Sequence, residues 1–200
     1  MWADTLSPRL ASLLALQRAE EPATIILPQE VTAGDLIRGL EDGTYDAGMV
    51  LAGTTTVSAM NAQPLWADEL ALAVPLRSPL LAYPEVPLDA LLRYPLLQWC
   101  LRACDALSKQ VAARFGPEMH SVKEVTSFDL LAVLGAAGFA VGIAPRSHIA
   151  RARGWGVAMR PLTNGPYLIS TQLLRKANGS ARAVERFAER AVKVAATEAA

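Results

Sequence analysis

The residues able to do chemistry are few and scattered. Cys100 and Cys104 are the only cysteines and His120 and His148 the only imidazoles in 200 residues. Two cysteines are too few for a disulfide framework, and in a reducing compartment they begin as free thiols. Neither histidine has a Cys or His neighbour at ligand spacing, so no metal site is expected. Ser147 and His148 are adjacent on a short predicted helix, where neighbouring side chains diverge by about 100°. They are therefore not expected to form a nucleophile–base pair, and a solvated surface helix is the simpler expectation. Glu30 and Asp4 are the acids that could serve a general acid–base role, but no spacing forces two titratable groups together. Gly135, Gly138 and Gly142 do not make a dinucleotide loop, because a strand follows them where that fingerprint needs one before. No cofactor is expected.

Composition narrows the partners. Nineteen Lys plus Arg balance nineteen Asp plus Glu, so the chain offers no net positive field to hold a polyanion. With 52% hydrophobic and 19% charged residues it reads as an ordinary globular chain, long enough for one domain or two lobes. The longest uncharged run, Leu130 to Pro145, is broken by glycines and falls short of the ~20 residues of a spanning helix. Met1-Trp2-Ala3-Asp4 has neither a basic nor an apolar leader region, so a cytoplasmic protein without membrane contact is expected.

The elements follow from periodicity and caps. Leu6 to Glu20 carries leucines at helical spacing behind Ser7-Pro8, a cap and a first-turn proline. Ala23 to Leu27 is short, apolar and β-branched, the pattern of a buried strand. Thr32 to Leu40 reads as a helix capped by Thr32 and closed by Gly43, and Asp46 to Leu51 as the next strand, which together would make a parallel βαβ unit. A second series runs through a strand at Leu96 to Trp99, a helix at Asp105 to Phe115, a strand at Ser121 to Val125, a helix at Ser127 to Ala136 and a strand at Phe139 to Ala144. A short helix at Ser147 to Arg153 and a strand at Val157 to Leu162 follow. Two long extended pieces, Pro64 to Val74 and Tyr167 to Leu174, join the halves, and Ala181 to Val194 closes the chain as an amphipathic helix. Arg182, Arg186 and Arg190, interleaved with Glu185 and Glu189, suggest a solvated face with intrahelical pairing.

In this order the residues resemble a known family. Leu36-x-x-Gly39-Leu40-Glu41-Asp42-Gly43-Thr44-Tyr45-Asp46, then Pro64-Leu65-Trp66-x-Asp68-Glu69-Leu70-Ala71-Leu72-Ala73-Val74-Pro75, then Ser78-Pro79-Leu80-Leu81-Ala82 and Val86-Pro87-Leu88-x-x-Leu91 are similar to the effector-binding domain of LysR-type transcriptional regulators. Thr126-Ser127-Phe128-Asp129-Leu130-Leu131 and Ala136-Ala137-Gly138-Phe139-Ala140-Val141-Gly142-Ile143-Ala144-Pro145 agree with that family's helix into a glycine-containing strand.

The resemblance implies an α/β, two-lobed periplasmic-binding-protein-like (type II) fold. Lobe I would hold residues 1–67 and 175–200, lobe II residues 75–166, with hinge strands at 68–74 and 167–174. The family's N-terminal winged helix-turn-helix would lie outside this sequence, so DNA would be bound only through it. The family's strand ahead of Asp4-Thr5-Leu6-Ser7 is reduced to Met1-Trp2-Ala3, and its loss would leave an unpaired sheet position and invite self-association.

By the same resemblance a small, anionic metabolite would bind between the lobes at helix N-termini. Thr5, Ser7, Thr32, Thr126 and Ser127 supply hydroxyls, Arg102 a counter-charge, and Cys100 and Phe128 complete the candidate ligand set. The competing expectation is that each hydroxyl only caps its own helix, worth ~1 kcal/mol. Trp66 and Trp99 read as hinge or core packing, with Trp99 also placed to stack on an aromatic ligand. Cys100-Leu101-Arg102 resembles the reactive Cys-Leu-Arg of the family's peroxide sensors, though Cys104 departs from their partner spacing, where Lys109 stands. A thiol redox sensor is therefore the alternative within the family. A dehydratase-like enzyme or a solute-binding protein on the same fold are the alternatives outside it. The implied assembly is a homodimer or homotetramer, to which the helix Leu6 to Glu20 and the segment after it contribute.

Overall fold

The computed structural model describes residues 7–52, 60–99, 122–125, 127–177 and 181–197. Its elements, in order, are α1 (Pro8–Glu20), α2 (Ala33–Asp42), β1 (Ala47–Ala52), β2 (Met60–Pro75), a 3-10 turn (Pro79–Ala82), α3 (Leu88–Leu91), β3 (Leu96–Trp99), β4 (Val122–Val125), α4 (Phe128–Ala136), β5 (Val141–Pro145), α5 (Arg146–Arg151), β6 (Val157–Arg160), β7 (Leu168–Lys176) and α6 (Arg182–Thr197). The chain divides into two compact units, Met1–Trp66 with Ser170–Ala200, and Ala67–Ile169.

In the first unit β1 pairs antiparallel with β7, from Ala47↔Arg175 to Ala52↔Ser170. Alternate residues face opposite layers. Met49 and Leu173 pack with Leu10 and Leu13 of α1 and with Ala188, Ala191 and Val194 of α6, and Trp66 joins them. Val50 and Leu174 face the other way, against Leu36 and Leu40 of α2. A side chain at Gly48 would collide with Leu36, so this close helix–strand approach requires glycine.

Ion pairs fasten α1 to α6. Arg190 meets Glu20 at 2.7 Å and Glu21 at 2.9 Å and donates to Gln17 Oε1 at 2.8 Å, while Arg186 pairs with Glu21. The Arg186 guanidinium, aided by hydrogen bonds from Gln17 and Arg190, holds the Glu21 carboxyl down at about 2. This corrects the expected intrahelical pairing: Arg186 and Arg190 turn to the carboxylates of another helix.

The second unit carries the parallel ladder. β3 lies parallel to both β4 and β5. β5 and β6 each pair antiparallel with β2. Leu131 of α4 is fully buried and sits where a side chain at Gly142 of β5 would be, repeating the contact of Leu36 with Gly48.

One expected element does not form. Ala23 and Thr24 lie in a turn and a bend, with Thr24 N–H donating to Glu21 C=O at 3.0 Å; no residue from Ala23 to Leu27 pairs with a described strand, and Ile25 and Leu27 are 83% and 80% exposed. An apolar run becomes a strand only where a neighbour takes up its N–H and C=O groups. Between residues 24–28 and 44–49 lies instead a groove of about 330 Å³, floored by Leu10, Leu14 and Phe187. The expected parallel βαβ unit is thus replaced, among the described residues, by a β1 that pairs with β7 alone. The helix expected over Asp105 to Phe115 lies outside the described residues.

Among the described residues the other edge of β1 carries no strand, and an exposed, uncharged, β-branched segment beside such an edge is a site for edge-to-edge association. Ile25→Lys should lower concentration-dependent light scattering while shifting the unfolding temperature little. Unchanged scattering would show that this segment does not drive association.

Candidate functional site

Three of the candidate hydroxyls cap helices. Ser7 Oγ accepts from Leu10 N–H at 3.3 Å at the start of α1, and Ser127 Oγ accepts from Leu130 N–H at 3.2 Å at the start of α4. Thr32 does more. Its Oγ1 accepts from Asp35 N–H at 3.1 Å and donates its proton to Asp35 Oδ2 at 2.6 Å, and Arg38 pairs with the same carboxylate. Thr32 and Arg38 hold the Asp35 carboxyl below its usual range. The only hydroxyl proton of Thr32 is therefore committed inside α2, and what this pole offers a ligand is chiefly the first-turn N–H groups that helix geometry leaves over.

At the α4 pole Ser127 is exposed but Phe128 is buried, its ring meeting the His148 imidazole edge-on at 5.7 Å between centroids. His148 is 5% exposed, which corrects the expectation of a solvated surface helix. Ser147 Oγ also lies 3.3 Å from His148 Nδ1, so the two adjacent side chains do meet at the first turn of α5, contrary to the expected divergence. The same turn is capped from β2: Ser147 N–H donates to Asp68 Oδ2 at 3.2 Å, and Arg146 pairs with Glu69 at 3.3 Å.

Burial holds the His148 imidazole down at about 4, reinforced by Arg151 and opposed by Asp68. A buried histidine held neutral is a packing element at physiological pH.

Thr5, Cys100, Arg102, Cys104, Thr126, Lys109, His120 and Asp4 lie outside the described residues. Trp66 is buried in the core between α1 and α6, as its packing role predicts. Glu30 is exposed. No group of three or more His, Cys, Asp or Glu able to hold a metal occurs among the described residues. No described helix is long and apolar enough to cross a membrane. The groove beside residues 24–28 contains none of the candidate ligand residues.

Sequence reasoning passed over Gln172, a buried amide on β7 in the first unit. The signal was present: Ser170-Thr171-Gln172 is a polar run between the apolar pairs Leu168-Ile169 and Leu173-Leu174.

With this geometry in place, comparison with known proteins gives a consistent result. The family model described as LysR substrate binding domain matches residues 3–196. The effector binding domain of a BenM variant is similar, with 19% identity over 99% of this chain and 93% of that one and a TM-score of 0.85. A full-length BenM mutant matches with 19% identity and a TM-score of 0.84, over 99% of this chain and 66% of the longer protein. The effector binding domain of QuiR in complex with shikimate matches with 15% identity, 98% and 94% coverage and a TM-score of 0.81. A further BenM effector binding domain holds its effector benzoate. At these identities the likeness establishes the fold. No curated protein matches the sequence significantly.

The buried imidazole makes stability depend on acid in a defined window. The unfolded chain takes up the His148 proton near 6.5, the folded chain only near 4. Between these values the unfolded state binds more protons, so stability falls as pH drops, by roughly 3 kcal/mol in all. His148→Gln should flatten this part of the pH profile of urea unfolding. A profile of unchanged slope between pH 6.5 and 4 would show that His148 does not carry the effect.

Proposed function

This chain belongs to the LysR substrate binding domain family, with its two-lobed periplasmic-binding-protein-like α/β fold, and from that premise we propose that it senses a small anionic metabolite for a cytoplasmic transcriptional regulator. The observation that carries the proposal is the pair of hydroxyl-capped helix poles, Thr32 at α2 in one unit and Ser127 at α4 in the other. Each pole presents first-turn N–H groups and the positive end of a helix dipole, the physical requirement for holding a carboxylate. Arg102 would add the counter-charge. Benzoate and shikimate, the molecules named with BenM and QuiR, are both small ring carboxylates, which supports the class of ligand.

The chain's role in this reading is binding. The difference in ligand affinity between two conformations shifts their populations, and an attached DNA-binding part reads the shift. With equal numbers of basic and acidic residues, the chain leaves the contact with DNA to that part. A homodimer is the proposed assembly. Leu130 and Val133, three residues apart on α4, are 42% and 54% exposed, and Phe139 is 70% exposed, an apolar face suited to a second copy.

Thermal unfolding against a panel of small carboxylates tests the sensor reading. A ligand at 100 times its Kd adds ~2.7 kcal/mol, several degrees for a chain of this size. Ser127→Ala should lower the unfolding temperature of the free chain by about 1 kcal/mol of lost cap and also reduce the ligand-induced shift. A panel without any shift in a cooperatively unfolding sample overturns the carboxylate reading. A shift produced by peroxide alone and lost in Cys100→Ser replaces it with thiol sensing. The proposed assembly is checked separately: Val133→Glu should convert a dimeric mass in light scattering to a monomeric one, and an unchanged mass removes this face from the interface.

A further inference from the structure

β7 carries one side chain that packing alone does not explain. Gln172 is 7% exposed, and its register partner across the ladder is Val50. Val50 packs with Leu36, Leu40 and Leu174, so the Gln172 amide shares the apolar layer under α2. Its Nε2 donates to Ser170 Oγ at 3.4 Å, and its Oε1 is buried with no hydrogen-bond partner among the described residues. A methionine would fill the same space without an orphaned oxygen. A buried carbonyl left unpaired is unfavourable in the free protein, and taking a donor there removes that penalty.

The surroundings say what kind of donor it would take. α2 lies with Gly39 against the ring of Tyr45, two residues ahead of β1, and with Leu36 over Gly48 of β1, while Leu36 also packs with Val50. Each step toward the N-terminus of α2 therefore advances along β1 toward its C-terminal end. The first turn of α2 comes to the level of Val50, and so of Gln172. This pole offers two complementary features. The first-turn N–H groups at residues 33 and 34 are donors suited to a carboxylate. Gln172 Oε1 is an acceptor. The Thr32 hydroxyl proton and the Asp35 carboxylate do not compete, since they are engaged with each other and Asp35 also with Arg38.

We infer that Gln172 is a specificity residue whose Oε1 accepts a hydrogen bond from a hydroxyl or ammonium group carried by the ligand beside its carboxylate. The inference rests on the effector-binding reading above and narrows its ligand class to hydroxy or amino acids. A site built around a buried acceptor discriminates strongly against the analogue lacking the donor, because that analogue leaves the acceptor unpaired.

Matched pairs differing by one donor test this: benzoate and salicylate, succinate and malate, propanoate and alanine, each titrated calorimetrically into the wild-type chain and into Gln172→Met. The donor-bearing member of a binding pair should bind at least tenfold tighter to wild type. Gln172→Met should abolish that preference while leaving the plain carboxylate within about twofold. A readout without ligand accompanies it: the free Gln172→Met chain should unfold at a higher temperature than wild type, since an orphaned oxygen is removed. A lower unfolding temperature assigns the amide a structural role and overturns the inference. So does binding without a preference within pairs, or a preference that survives Gln172→Met. If no member of any pair binds wild type, the sensor reading fails and this inference fails with it.

Discussion

A strand covered by helices on both faces has no side on which a polar side chain reaches water, and β7 is so covered from Thr171 to Leu174. Leu173 turns to the layer of α1 and α6, and Leu174 to the layer of α2. The rest of the first unit answers to that double burial. Gly48 lacks a side chain so that Leu36 can close on the strand pair from one side. On the other side Glu20 and Glu21 of α1 meet Arg186, Arg190 and Lys193 of α6. The buried polar residues of β7 are Thr171 and Gln172, toward its N-terminal end. Polar groups in such a place are unfavourable unless something pairs with them. Their position therefore marks where the requirement of packing is relaxed.

A second constraint comes from the caps, which engage the candidate hydroxyls within their own helices. Ser7, Thr32 and Ser127 each accept from a first-turn amide of their own helix. Thr32 also gives its proton to Asp35. The hydroxyl identified in the sequence as a ligand contact is thus first a device for starting the helix, and what reaches outward is the backbone that the cap has organised. In the proposed site the cap and the ligand contact would coincide in one element because the helix N-terminus can supply both.

Local signals in the sequence were read well and non-local ones poorly. α1, α2 and α4 start at Pro8, Ala33 and Phe128, behind Ser7, Thr32 and Ser127, since caps act within four residues. β1, β3, β4 and β5 lie where apolar runs stand between turns. Ala23 to Leu27 has the same composition and is no strand, because a ladder needs a partner that five residues cannot encode. Arg186 has Glu189 one turn away, yet it pairs with Glu21, and Arg190 pairs with Glu20 and Glu21, from the other end of the chain. His148 looked solvated on a helix rich in Arg, and only the fold brings Phe128 over it. At the candidate site the caps were legible, whereas Gln172 was hidden by a habit of reading extended segments for their apolar residues alone.

The electrostatics of the described residues favour recognition over proton transfer. A group that moves protons in turnover needs a pKa near the working pH. Here the resolved shifts of acids and of histidine run the other way. Arg190 and Lys193 hold Glu20 low, Arg186 holds Glu21 at about 2, and Thr32 with Arg38 holds Asp35 low. A hydrogen bond from Thr44 does the same for Asp42. His148 is pressed down to about 4 by burial. At neutral pH these carboxylates stay charged and this imidazole stays neutral, so their hydrogen-bonding roles are fixed. In the proposed site, fixed donors and acceptors at a helix pole, with the Gln172 acceptor beside them, would distinguish one small molecule from another by shape and hydrogen bonding. Such fixed roles accord with the proposed binding of a small molecule.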